Sequence, residues 1–486
     1  MKVLLTSVGR RTYLIKYFKD ALGPNGEVHV SNSDSNIPAF NIADYAVKTP
    51  WIHEDNYIDF LLSYCRLNRI DCLIPLFDMD LPILSKNKNR FADIGVTVVV
   101  SKNEVIAVCN DKWKTYLFLK EKGFKVPNTY INFEQVLHLI EEKNLEFPIV
   151  LKPRYGMGSI GIFIADNKEE LKVFYNKVLK SIQSSYLQYG EFEIETCILF
   201  QEFISGQEFG LDVINDINEC YQNTVVKKKL GMRSGETDSA EVVYNDDLKK
   251  IGEKISNELN HIGNLDVDVF EKNGEYYVLE MNARFGGGYP FSHMAGVNLP
   301  FAIKNWIEGC FETKDYLTEH YNITSFKDIL PTKINNVSFE IKSINKLEII
   351  NGILKEFNTC FSPTISEKVL DLEKYSEKIK ENANVIVLKN KYDQNIGFAV
   401  FYTNDIDSKN AYISFIGIKN NYTGLGLGNH LLKAIIKIAI EKGMTKIKLE
   451  VNKANKSAIK FYLKNNFQVD ENKNENSLLM MRKLDS

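Results

Sequence analysis

Residues 152–163 read KPRYGMGSIGIF, a G-x-G-x-x-G with glycines at 156, 158 and 161. Glycines let a backbone approach phosphate oxygens and aim N–H groups at them. The flanks, FPIVLKP and IGIFIAD, are short, apolar and β-branched, so the glycines join two strands. A dinucleotide-binding fingerprint instead needs a strand before and a helix directly after. A Walker loop needs Gly-Lys-Ser/Thr, which is absent here. A protein-kinase loop would fit the hairpin, but no H-R-D or D-F-G follows. What remains is the glycine hairpin of another nucleotide-binding fold.

At 486 residues the chain exceeds one core and implies roughly two to four domains. A net charge of −3 argues against a nucleic-acid partner. Seven scattered cysteines with no C-x-x-C pair fit reduced thiols in a cytosol. The opening MKVLLTSVGRR has too short an apolar run for a signal peptide, and no segment reads as a membrane span. A soluble, cytoplasmic protein without a membrane partner is expected, with a homodimer left open.

Strand signals at Lys2–Thr6, VHVSNSD, IDCLIPLF and VTVVVS alternate with helical stretches, implying a parallel α/β sheet over 1–105. Residues 111–123 read as a helix ending at Gly123. From about 125 to 200 a small lobe is expected, and 200–282 is strand-rich around the turn Lys272-Asn273-Gly274. Residues 321–335 carry Pro331 without clear periodicity and are read as a linker. A strand–helix–strand pattern then runs over 336–486.

Lys152 ends a strand just before the glycines, where a cation neutralises phosphate oxygens; a solvated strand-end lysine is the plainer alternative. Glu280 and Asn282 are two apart and share a strand face. Their hard oxygens suit Mg²⁺, with Asp266 or Asp268 of the preceding strand as a third donor. A two-residue Asn273-Gly274 turn would pair Lys272 with Glu275 and put Asp268 and Glu280 on opposite faces. The metal reading therefore requires a three-residue loop with Gly274 left-handed.

These residues, with TSVGRR at the start, the Asp111-Lys112 pair, FQEFISGQEFGLDV at 200–213 and LEMNARFGG at 279–287, resemble the ATP-grasp enzymes of carbamoyl-phosphate-synthase-like type. The resemblance covers residues 1–310 and implies a Rossmann-like pre-ATP-grasp domain over 1–105. It further implies an ATP-grasp domain over 106–320 with its lid lobe at about 125–200. By this resemblance Lys112 and Lys152 touch ATP phosphates, and Gly156, Gly158, Ser159 and Gly161 close over them. The backbone of Glu202, Phe203 and Ile204 holds adenine, and Glu208 the ribose. Asp268, Glu280 and Asn282 take Mg²⁺, while Arg284 and Arg233 steady phosphate or carboxylate groups.

Residues 411–432 read AYISFIGIKNNYTGLGLGNHLL, a strand, a glycine turn and a helix, which aims backbone amides at a pyrophosphate. The segment resembles the GNAT N-acetyltransferases, whose loop would be Thr423, Gly424, Gly426 and Gly428 beside Ile418. Thr423 replaces the family's usual Arg or Gln. Asn455 would bind the arm of acetyl-CoA and Tyr462 would protonate the departing thiolate, leaving the general base open. The expected whole is an α/β chain, an ATP-grasp ligase joining a small-molecule carboxylate to an amine, fused to a GNAT α/β domain over 336–486. The alternative is a ligase whose GNAT domain senses acetyl-CoA without turning it over.

Overall fold

The computed structural model describes residues 1–156, 158, 161–185, 193–328 and 339–484. The chain divides into two compact units, Met1–Ile334 and Asn335–Ser486. Among the described residues no helix is long and apolar enough to cross a membrane.

The first unit opens with β1 (Lys2–Thr6), β2 (Glu27–Asn32), β3 (Tyr45–Lys48), β4 (Cys72–Pro75) and β5 (Thr97–Val98). They form a parallel sheet in the order β3-β2-β1-β4-β5. The near-continuous burial of KVLLT and CLIP is what a sheet covered on both faces demands. The edge strand β3, YAVK, is largely exposed and gave no strand signal in the sequence.

A second sheet joins β6 (Thr129–Tyr130), β7 (Ile149–Pro153), β8 (Phe163–Ala165) and β9 (Ile198–Glu202) in the order β6-β9-β7-β8. With helices Phe133–Glu141 and Lys168–Gln183 it closes a small core of its own around Val136, Leu151, Val178 and Phe200. Asp111 caps helix Lys112–Glu121 through the Trp113 and Lys114 amides and also binds Arg154 beyond β7. One carboxylate thus ties the helix start to the glycine hairpin.

The third sheet holds β10 (Gln207–Asn215), β11 (Tyr221–Arg233), β12 (Glu236–Val242), β13 (Gly263–Lys272), β14 (Glu275–Asn282) and β15 (Ile323–Phe326). Its order is β14-β13-β10-β11-β12-β15, and every pairing is antiparallel. β15 lies inside the expected 321–335 linker but pairs with β12, so that segment begins as sheet. Leu4 of β1 shares a core with Leu211 and Val213 of β10, so the first and third sheets are packed as one body.

The second unit is one seven-stranded sheet: β16 (Phe339–Ile344), β17 (Asn384–Asn390), β18 (Asn395–Asp405), β19 (Asn410–Ile418), β20 (Lys446–Asn452), β21 (Gln468–Asn472) and β22 (Ser477–Lys483). All pairs are antiparallel except β19 with β20, which pair only over Asn410–Ile413 and Lys446–Leu449. Beyond Ile413, β19 continues against β18 alone and the sheet splays. Helix Leu427–Glu441 covers one face through Leu431, Leu432 and Ile435.

Candidate functional site

The central strands of the third sheet build one charged face by register. Gly210 of β10 faces Lys227 of β11 on one side and Asp268 of β13 on the other. Asp268 in turn faces Glu280 of β14, and Asp266 faces Asn282. Directly opposed residues share a sheet face, as do residues two apart.

The turn that sets this register is not the expected one. Lys272 pairs with Glu275 across a two-residue Asn273-Gly274 turn, both residues at positive φ (55° and 78°). Left alone, that register would separate Asp268 from Glu280. A bulge restores it: Val269 pairs with Val278 and Asp268 with Glu280, leaving Leu279 as the extra residue. The odd residue required for the acidic pair sits in the strand, and the three-residue loop is a corrected expectation.

This face floors a cavity of about 330 Å³ lined by Lys112, Lys152, Gly156, Gly158, Glu202, Phe203, Ile204, Glu208, Asp268, Glu280, Asn282 and Arg284. Those twelve residues were expected at the nucleotide and metal site, and the fold brings them together. Arg233, also expected there, pairs with Asp238 and the Lys327 carbonyl and is not among the residues lining the cavity, although Met232 and Gly235 beside it are. Gly161 does not line the cavity either; a Cβ there would lie 3.2 Å from the Pro153 ring, so it serves the turn. Ser159 lies outside the described residues.

Cations and acids are interleaved at short range. Lys152 is buried, donates to Gln201 Oε1 at 3.0 Å, and burial lowers its pKa to about 8. It is an inward lysine, and the solvated alternative does not hold. Lys112 donates to the Gly156 carbonyl and stands 3.8 Å from Glu280. Burial alone would raise the Glu280 pKa, but Lys112, Lys152 and Lys229 outweigh it and the carboxyl sits below its ordinary range. Burial raises Asp268 and Glu208 against the pull of Lys229, which binds both. Arg284 is clamped by Asp78 at 3.1 Å and Asp266 at 3.2 Å. Gly286 permits that clamp, since a Cβ there would overlap the Asp266 carboxyl carbon at 2.2 Å.

Sequence reasoning missed Lys227 and Lys229. Lys227 is buried against Asp212 at 2.5 Å, and Ser292 and Asn264 complete the Asp212 shell. The available signal was Lys-x-Lys on β11, beside Glu-x-Gly-x-Asp on its neighbour β10 and Asp-x-Asp one strand further, on β13. Among the described residues no group of three or more His, Cys, Asp or Glu forms a metal cage. Two carboxylates and an amide oxygen on one face still fit Mg²⁺, which takes few protein ligands and completes its shell with phosphates and water.

In the second unit Gly424 and Gly426 adopt positive φ (76° and 78°), and Gly426 precedes helix Leu427–Glu441. Gly428 is in its first turn, 3.4 Å from the Phe461 ring for an added Cβ. Thr423 Oγ1 donates to the Asn420 carbonyl, and Ile418 ends β19. Asn455 caps helix Lys456–Lys464 through the Ala458 amide at 3.0 Å. Tyr462 is buried, which raises its phenol well above the ordinary value.

Comparison with known proteins agrees with both halves. Residues 109–288 match the family described as "ATP-grasp domain", residues 3–99 "PylC-like, N-terminal domain", and residues 350–467 "Acetyltransferase (GNAT) family". The carbamoyl phosphate synthase large chain of Helicobacter pylori strain J99 is 24% identical over 269 residues, 53% of this chain. The chain spans only 24% of that relative's length. Biotin carboxylase from Campylobacter jejuni superposes with a TM-score of 0.51 at 16% identity, over 65% of this chain and 73% of that one. The ADP complex of purK, N5-carboxyaminoimidazole ribonucleotide synthetase, gives 0.50 at 14%, over 74% and 85%. The first unit carries an ATP-grasp domain and the second a GNAT acetyltransferase domain.

Proposed function

We propose that the first unit is an ATP-dependent carboxylate–amine ligase releasing ADP and phosphate. The observation that carries this is the convergence of Lys112, Lys152, Asp268, Glu280 and Asn282 on one cavity. A carboxylate does not react with an amine at neutral pH, because its leaving group would be oxide. Phosphorylation by ATP gives an acyl phosphate, whose phosphate departs when the amine attacks. The protein then needs to position and neutralise, which suits a site of lysines, arginine and loop amides. Mg²⁺, held by Asp268, Glu280 and Asn282, would neutralise phosphate charge. Lys112 and Lys152 hold phosphate oxygens, Glu208 the ribose, and Arg284 a phosphate or carboxylate. Carbamoyl phosphate synthase among the relatives supports this chemistry.

The test is nucleotide product analysis with pooled amino acids as acid–amine pairs, beside a Glu280→Ala control. ADP and phosphate that require both partners and vanish in the control support the reading; failure to bind ATP overturns it.

The second unit is proposed as an acetyl-CoA-dependent N-acetyltransferase acting on the same small-molecule pathway, in a cytoplasmic enzyme. Gly424 and Gly426 ahead of a helix N-terminus support pyrophosphate binding, and the raised Tyr462 phenol stays protonated, as a proton donor must. Thr423, in place of a charged residue, favours the competing reading of an acetyl-CoA sensor. Release of CoA that depends on an added amine and is lost in Tyr462→Phe decides for catalysis.

A further inference from the structure

Lys229 occupies the ground between the two acids assigned to different ligands. Its ammonium binds Glu208 Oε1 and lies 2.7 Å from Asp268 Oδ1, with the side chain only 9% exposed. The lysine stands on β11, Glu208 on β10 and Asp268 on β13, so the stem must cross the middle strand. It does so over Gly210, where an added Cβ would sit 3.4 Å from Lys229 Cε. The position it crosses carries no side chain, and one larger than a methyl would meet the lysine stem.

We infer that Lys229 is a resident counter-cation that the divalent metal and the nucleotide's ribose both displace, so that each ligand strengthens the other's binding. This rests on the reading above that Glu208 takes the ribose and Asp268 the metal. A divalent cation on Asp268 would meet the ammonium within a few ångströms, and like charges that close repel strongly where water screens them poorly. The ammonium therefore leaves the cluster, and Glu208 is released with both oxygens free to accept from a vicinal diol. Reciprocity requires that the ribose favours the metal by the same factor. The half-buried acids meanwhile keep a partner whenever the ligands are absent, which limits the cost of leaving their charge unpaired.

Adenosine is the decisive probe, because it has no phosphate to touch the metal and any coupling must pass through the protein. Calorimetric titration of the full chain is expected to show adenosine binding tightened about fivefold or more by MgCl₂, within the ordinary range of coupling. Lys229→Met should bind adenosine without Mg²⁺ at least as tightly as the wild type does with it, and show no further response. Lys229→Arg, which keeps the cation and guards against a folding artefact, should retain the coupling. Equal wild-type affinity with and without Mg²⁺, or coupling that survives in Lys229→Met, overturns the inference alone. Adenosine binding unchanged by Glu208→Gln, or absent from the wild type, overturns the site reading itself and the inference with it.

Discussion

The chain carries two glycine-rich loops, and in the function proposed above they would meet phosphate in different ways. The first, with Gly156, Gly158 and Gly161 at φ of 106°, 67° and 71°, borders a cavity where lysines and carboxylates interleave. The second, with Gly424 and Gly426, leads into a helix N-terminus and has the neutral Thr423 at its shoulder. Charge in the first site is supplied by side chains; in the second it is supplied by the oriented amides and dipole of a helix. A side-chain site is sensitive to charge, pH and metal. A backbone site is sensitive to conformation.

The largest effect expected from this contrast is at Glu280. Its carboxylate is held below the ordinary range by Lys112, Lys152 and Lys229, so Glu280→Ala removes an acid that three cations share. ATP turnover should fall about 100-fold or more, the scale for losing one preorganised electrostatic contact. Acetyl-CoA binding should not change. Loss of both would mean the two sites are not the separate designs described above.

Gly426→Val probes the other design. At φ of 78° a β-branched residue costs about 1–2 kcal/mol, and relief of that strain would re-aim the helix start. The dissociation constant for acetyl-CoA is expected to rise about tenfold, while ATP turnover holds. Thr423→Ala should change it by less than about twofold, since a neutral hydroxyl committed to the Asn420 carbonyl adds little charge. A larger Thr423 effect than Gly426 effect would refute the backbone account.

How much of this was legible beforehand differs between elements for physical reasons. The parallel sheet was readable because strands buried on both faces are written as apolar runs such as KVLLT. β3 was not, because an exposed edge strand carries no such run. That Glu280 and Asn282 share a face followed from strand parity, whereas Lys152, on another sheet, was placed with them only by the family resemblance. The bulge at Leu279 was invisible, since an extra leucine in an apolar strand looks like any other. Lys227 and Lys229 were not singled out because a run of like charges does not announce which members turn inward to pair with acids; their pairing with Asp212, Glu208 and Asp268 belongs to the fold.

The side-chain site should also respond to pH where the backbone site does not. Burial brings Lys152 down from the usual lysine value to about 8. The ammonium is present below that pH and is lost above it, so a phosphate contact made by Lys152 weakens as pH rises past 8. The ATP dissociation constant is expected to increase by up to about tenfold per pH unit above 8 until the pKa of the bound state is reached. Lys152→Arg keeps its charge throughout and should flatten the curve between about pH 7 and 9. Acetyl-CoA binding measured in parallel should show no step at pH 8. A step that persists in Lys152→Arg would assign the titration to another group.

A more modest effect separates packing from recognition at one residue. Asn455 Oδ1 accepts from the Ala458 amide and caps helix Lys456–Lys464, while its side-chain NH₂ donates to nothing among the described residues. The two ends of one amide can therefore be tested apart. Asn455→Ala removes both and should destabilise the second unit by about 1 kcal/mol. Asn455→Asp keeps an equally good cap but exchanges a donor for an acceptor. If the NH₂ reaches the arm of acetyl-CoA, Asn455→Asp leaves the melting temperature near the wild-type value and weakens binding about fivefold, the worth of one hydrogen bond. Unchanged affinity in Asn455→Asp would confine Asn455 to the cap and leave recognition in this unit to the glycine loop.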